Sequence, residues 1–215
     1  MTILLLHAFP LDERMWGPEL ETIGDHDVHA PRLYGRGRTM AAWAQSVADE
    51  TEGELVVVGV SMGGYCALAL ARLLPERIRG LLLVGARPDA DSPERRAGRA
   101  DTIELIRREG PDGLWASMEP KLYHDPRNAD PELCFRDPDR LVEAVEAIRD
   151  RENAIDVARS LAGRARFVVG EFDPFVSAQE LADFDVREIV ETGHLVNLER
   201  PDVFNSILNE FLRDV

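Results

Sequence analysis

The ten residues Val56–Tyr65, VVVGVSMGGY, constrain the fold more than any other stretch of this chain. An apolar run enters Gly59-Val60-Ser61-Met62-Gly63, and a longer one, GYCALALARLLP, follows. The first run predicts a strand and the second a helix, so the backbone must turn sharply between them. Side chains two residues before and after the apex would clash across so tight a bend, which accounts for the two glycines. A helix opening at Met62 aims its free N-terminal amides back toward Ser61, ready for developing negative charge. Strand, G-x-S-x-G turn and helix together make the pattern of a nucleophile elbow.

The same rhythm runs along the chain. TILLLH (2–7), DVHAP (27–31), ELVVVGV (54–60), IRGLLLVGA (78–86), ARFVVGE (165–171) and VREIVE (186–191) are short apolar runs, each followed by a helical pattern. Continuous rather than alternating apolarity fits strands buried on both faces. Strands alternating with helices predict an α/β fold with a mostly parallel sheet of about six strands. From Pro201 onward, Val203, Phe204, Ile207, Leu208, Phe211 and Leu212 form one helical stripe that should dock on the sheet.

The rhythm breaks once, between about Arg87 and Arg151, where the chain is charged and reads as helices. Ser92 is an N-cap candidate with Pro93 in the first turn, and Gly110 ends that helix. A second helix starts near Pro111 and a third after Asp137-Pro138. The expected organisation is a core of 1–86 and 152–215 with a small helical cap inserted at 87–151. The segment HDPRNADPE (124–132) reads as the loop most prone to move.

A serine hydroxyl needs a base to take its proton and a group to orient that base. Of the five histidines, His26 and His29 flank an early strand, His124 sits in the polar loop and His7 ends the first strand. His194, in ETGHLVNLERP, follows the last strand on a glycine-containing loop and takes the last place in the order nucleophile, acid, base. The expected acid is Asp173 in FVVGEFDPF, where Pro174 stops the strand from continuing; Glu171, and Asp89 and Asp91 after the preceding strand, compete for the role. For the oxyanion, Met62 N–H is one expected donor, and Phe9 N–H, in the loop LLLHAFPLD, the other. His7 then braces that loop. Trp115, Met118, Phe175 and Leu195 are expected to line an apolar pocket of modest size.

The segments LLLHAFPLDERMW, GRGRT, VVVGVSMGGYCALALARLLPERIRGLLLVGARPDADSPE, FVVGEFDPF and GHLVNLERPDVFNSIL resemble the α/β-hydrolase superfamily, most of all its small serine esterase and 3-oxoadipate enol-lactonase branch. The resemblance implies a doubly wound sheet with the first strand here between the second and third, and a chain beginning at the third strand of the full fold, without the N-terminal hairpin. It also places His7-Ala8 where the family usually has His-Gly. A serine nucleophile sets the chain apart from haloalkane dehalogenases and epoxide hydrolases of similar fold, which use a carboxylate.

The expected activity is hydrolysis of small or aryl carboxylic esters through an acyl-enzyme, with no metal or organic cofactor. A lactonase taking an anionic lactone, with Arg87 or Lys121 as its cation, is the alternative within enzymes. A ligand receptor of slow turnover is the alternative outside them. A formal charge of −15 among 215 residues argues against nucleic acid and anionic membrane surfaces as partners. Cys66 and Cys134 lie far apart, without the spacing of a zinc site or disulfide framework. No basic leader precedes the first apolar run and no run has membrane-spanning length, so the expected location is cytoplasmic.

Overall fold

The computed structural model describes residues 1–24 and 26–215. Six strands, β1 (Thr2–Leu6), β2 (Asp27–His29), β3 (Leu55–Val60), β4 (Ile78–Val84), β5 (Ala165–Gly170) and β6 (Val186–Ile189), form one sheet in the order β2-β1-β3-β4-β5-β6. Every neighbouring pair is parallel. The chain steps outward from β1 to β2, returns across to β3 and then continues the other way. The winding direction therefore switches between β1 and β3, and open α/β sheets bind ligands beyond the strand ends at such a point.

Alternate side chains of each strand serve opposite faces, which is why the apolar runs are continuous. Leu4, Leu6, Val57, Leu81, Leu83 and Phe167 pack on one face with α2 (Met40–Asp49) and α3 (Met62–Leu73). Ile3, Leu5, Val56, Val58, Leu82 and Val168 pack on the other. There they meet α1 (Gly17–Ile23) and α8 (Pro201–Asp214), whose Phe204, Ile207, Leu208 and Phe211 are buried as the stripe requires.

Between β4 and β5 lie α4 (Pro93–Leu122), α5 (Pro138–Arg149) and α6 (Ile155–Ser160). Ser92 caps α4 by accepting from Arg95 N–H, and Gly110 breaks it with φ 68° and ψ −165° just before Pro111. The Asp137 carboxylate caps α5 by accepting from Asp139 and Arg140 N–H. Ile103, Ile106, Leu141 and Val145 join the same hydrophobic cluster as the sheet face beneath them. The loop after α4 is built from two short 3-10 turns, Pro126–Asn128 and Pro131–Leu133, capped by Asp125 and Asp130. The short α7 (Val196–Glu199) leads from the His194 loop into α8. Among the described residues, no helix is long and apolar enough to cross a membrane.

Candidate active site

Ser61 stands where β3 ends and α3 begins, with φ 52° and ψ −110°, a left-handed backbone that a non-glycine residue rarely holds. The surrounding contacts enforce it. Ser61 N–H donates to the Val84 carbonyl at 2.7 Å, and the Ser61 carbonyl accepts from Gly64 N–H at 2.9 Å and Tyr65 N–H at 3.2 Å. A Cβ on Gly59 would lie 2.6 Å from backbone atoms of Gly63 and Gly64, and one on Gly63 only 2.0 Å from the Leu6 carbonyl oxygen. The glycines are thus required by backbone crossing backbone, as the motif implied. The Ser61 side chain does not cap α3, so its hydroxyl is not committed to the helix.

β5 and β6 pair with Gly170 opposite Ile189, so the loops leaving them run side by side. This brings His194 Nδ1 to 2.8 Å from Asp173 Oδ2, with both side chains essentially buried at 3% and 0% exposure. The other carboxylate oxygen, Oδ1, accepts from Phe175 N–H at 2.8 Å and Val176 N–H at 3.3 Å, which holds the Asp173 side chain in place. The competing carboxylates are engaged elsewhere. Glu171 accepts from Glu191 N–H, Asp89 binds Arg87 and Arg95, and Asp91 is paired with Arg95, Arg99 and Arg151. No hydrogen bond closes Ser61 Oγ onto the imidazole among the described residues. Such bonds commonly tighten only when substrate binds.

Gly85 escaped the sequence reading, although its position directly after a strand was a signal. It has φ 55°, and a Cβ there would lie 2.8 Å from His194 Cε1 and 2.9 Å from Nδ1. The residue before it, Val84, is the one that accepts from Ser61 N–H. Ser61 and the His194 imidazole therefore converge on the end of β4. Gly85→Ala is expected to displace the ring and lower kcat by roughly 10- to 100-fold, since misplacement by about an ångström has that effect. Steady-state kinetics on a folded variant checks this, and wild-type turnover would remove Gly85 from the site.

The loop after β1 lies against the first turn of α3, as the closeness of Gly63 to the Leu6 and His7 carbonyls shows. Phe9 N–H and Met62 N–H have no acceptor among the described residues. Ala8 carries its methyl into the buried cluster around Leu11 and Met15, and its N–H meets Met15 Sδ at 3.2 Å. His7 is fully buried beneath this loop: its Nε2 accepts from Leu33 N–H at 2.9 Å, leaving Nδ1 to donate to the Ala8 carbonyl at 3.0 Å.

Burial pushes the His7 pKa down to about 4, although the bond to Ala8 opposes the shift. An unfolded imidazole titrates near about 6.5, so between these values the unfolded chain binds more protons. His7 therefore contributes stability at neutral pH that is lost as pH falls from about 6.5 toward 4, by about 3 kcal/mol. Glu19 acts with the opposite sign. It is fully buried, its carboxylate oxygens are unpaired, and burial raises its pKa to about 8, so its stabilisation is lost as pH rises toward that value. The stability difference between wild type and His7→Gln isolates the His7 contribution. Urea unfolding at pH 7 and at pH 4 should show that difference shrinking; a constant difference would refute the account.

Of the expected pocket residues, Trp115 and Met118 on α4 and Phe175 beside Asp173 are partly buried, and the Phe175 ring meets the His194 ring edge-on at 4.7 Å. Leu195 requires a correction: it has no solvent exposure and packs into the core with Val196 and Phe204, so it supports the loop from below rather than lining a cleft. Arg87 is not a free surface charge either. Burial works against its charge, but bonds to Asp89 and Glu180, each 2.8 Å, outweigh burial and raise its pKa. A cavity of about 440 Å³ lies elsewhere, between α2, α3 and residues 150–154, and none of Ser61, Asp173 or His194 borders it. Among the described residues, no group of three or more His, Cys, Asp or Glu side chains is arranged to hold a metal ion.

Comparison with known proteins agrees with this architecture. Residues 3–207 match the alpha/beta hydrolase family. A thermophilic esterase from Thermogutta terrifontis, solved with malate bound, superposes with a TM-score of 0.88 at 30% identity, covering 99% of this chain and 89% of that one. The enol-lactonase from Burkholderia xenovorans LB400 shares the fold with a TM-score of 0.83 at 22% identity, over 99% of this chain and 91% of its own. A pimeloyl-[acyl-carrier protein] methyl ester esterase from Aromatoleum aromaticum is 33% identical over 93 residues, which is 40% of this chain and 37% of that protein's length. With the parallel sheet, the strained serine turn and a family match spanning nearly the whole chain, the protein belongs to the alpha/beta hydrolase family.

Proposed function

We propose that the protein hydrolyses small or aryl carboxylic esters through an acyl-enzyme on Ser61, with His194 as base and Asp173 as acid. The observation that carries this reading is the buried 2.8 Å bond between His194 Nδ1 and Asp173 Oδ2 beside a serine held at positive φ. An imidazole that donates from Nδ1 presents Nε2 as the acceptor. Ser61 Oγ gives its proton to Nε2 as it bonds to the acyl carbon, and the oxyanion takes the free N–H groups of Phe9 and Met62. The imidazolium, balanced by the desolvated Asp173 carboxylate, then passes that proton to the departing alkoxide. Water repeats the sequence to release the acid and regenerate Ser61.

In this reading the helices of 87–151 form a cap, with Trp115 and Met118 facing the cleft beside Phe175. The reading includes a cytoplasmic location, to which two buried, unpaired thiols are suited. Recognition of an anionic lactone by Arg87 is less well supported, because Arg87 is neutralised by Asp89 and Glu180, which leaves Lys121 as the cation for that alternative.

The test is a panel of p-nitrophenyl esters from two to sixteen acyl carbons, aryl acetates and small lactones, with fluorophosphonate labelling alongside. Stoichiometric labelling and fastest turnover of short or aryl esters are expected. A preference for the longest chain, or for lactones alone, would overturn the substrate assignment. Labelling with negligible turnover of every substrate would favour the receptor.

A further inference from the structure

Glu199 closes α7 and is only 8% exposed, yet none of the chemistry above uses it. Its carboxylate accepts three backbone N–H bonds, and they come from two separate segments. Oε2 takes Gly193 N–H at 2.5 Å, immediately before the imidazole. Oε1 takes His124 N–H and Asp125 N–H, both at 2.8 Å, just beyond the end of α4. The neighbouring Arg200 does not neutralise it but turns to Asp202. A buried carboxylate needs such donors in place of water.

Other contacts reinforce the same seam. The Leu122 carbonyl accepts from both His194 N–H, at 3.0 Å, and Leu195 N–H, at 3.1 Å. A Cβ on Gly193 would lie 2.7 Å from His124 N, so the two backbones are in direct contact. The His124 ring stacks on Phe172, the residue before Asp173, with centroids 4.2 Å apart.

We propose that Glu199 is a positioning residue that fastens the His194 loop to the C-terminal end of α4, so that helix and imidazole are placed together. Both of its oxygens must accept, one on each side of the seam. Glutamine has the same shape but only one accepting oxygen, so its amide nitrogen would face an N–H donor and one side of the bridge would open. Aspartate keeps two acceptors but is one methylene too short to reach both segments.

The kinetic part of the test rests on the proposed ester hydrolysis; the spectroscopic part does not. The proton shared by His194 Nδ1 and Asp173 should give a low-field ¹H resonance, identified by its loss in Asp173→Asn. In Glu199→Gln that resonance should broaden or shift, and kcat should fall by roughly 10- to 30-fold. KM should stay within about threefold, because substrate contacts are untouched. A folded variant with wild-type kcat and an unshifted resonance would overturn the proposal. So would a lowered melting temperature with both of those unchanged, since that is the mark of a structural brace alone. If Glu199→Gln does not fold, Glu199→Asp, which also opens one side of the bridge, is read by the same two measurements, with a comparable loss expected and wild-type values decisive against. If wild type turns over no ester, an unaltered resonance in Glu199→Gln still refutes the positioning role, and the failed activity counts against the ester reading alone.

Discussion

Ser61→Ala is expected to lower ester kcat by about 10⁵- to 10⁶-fold, the scale on which removal of a serine nucleophile acts in other serine hydrolases, and to abolish fluorophosphonate labelling. The loss should be confined to kcat. The alanine retains the left-handed turn, because the constraint comes from Val84, Gly63 and Gly64 rather than from the hydroxyl. Relief of the side-chain oxygen should leave the melting temperature within a few degrees of wild type. Labelling of Ser61→Ala at the wild-type level would place the nucleophile elsewhere and undo the proposed mechanism.

Asp173→Asn is expected to cut kcat by about three to four orders of magnitude. The Asn side chain can present its amide nitrogen to His194 Nδ1, which selects the tautomer with the proton on Nε2 and leaves no acceptor for the Ser61 proton. It also removes the charge opposite the imidazolium. Because Oδ1 holds Phe175 and Val176 N–H, an Asn retaining its carbonyl there keeps the loop folded, and circular dichroism should match wild type. Glu171→Gln and Asp89→Asn should cost far less, since these side chains bind Glu191 N–H and two arginines respectively. If Asp89→Asn proved the damaging substitution, the acid would belong to the end of β4.

Much of the fold was legible from local pattern. All six apolar runs became strands, each within a residue or two of the expected ends, and the central β1, β3, β4 and β5 are apolar nearly throughout because they are buried on both faces. The breaks at Ser92, Gly110 and Asp137 were equally readable, since capping and glycine chemistry act within four residues. Their placement over the sheet was not, because it depends on which stripe of each helix finds the core.

The site divides along the same line. Ser61 with its flanking glycines is a local backbone problem, solved within five residues, and the sequence alone was sufficient to locate it. His194 followed from its place after the last strand. Asp173 is the carboxylate expected from sequence to meet it, but Glu171, Asp89 and Asp91 compete, because all four follow strand ends on the same side of the sheet. Only the β5–β6 register, Gly170 opposite Ile189, sets the Asp173 and His194 loops together, and only the fold brings Arg151 onto Asp91, beside the Arg87, Arg95 and Arg99 contacts that occupy Asp89 and Asp91. The same limit hid the bond from Arg87 to Glu180, the seat that Gly85 makes for the imidazole, and the Glu199 bridge to α4. Periodicity, caps and tight turns are short-range and leave their mark in consecutive residues. Pairings between residues 21 to 109 positions apart are decided by strand register and helix docking, so tertiary structure alone determined them.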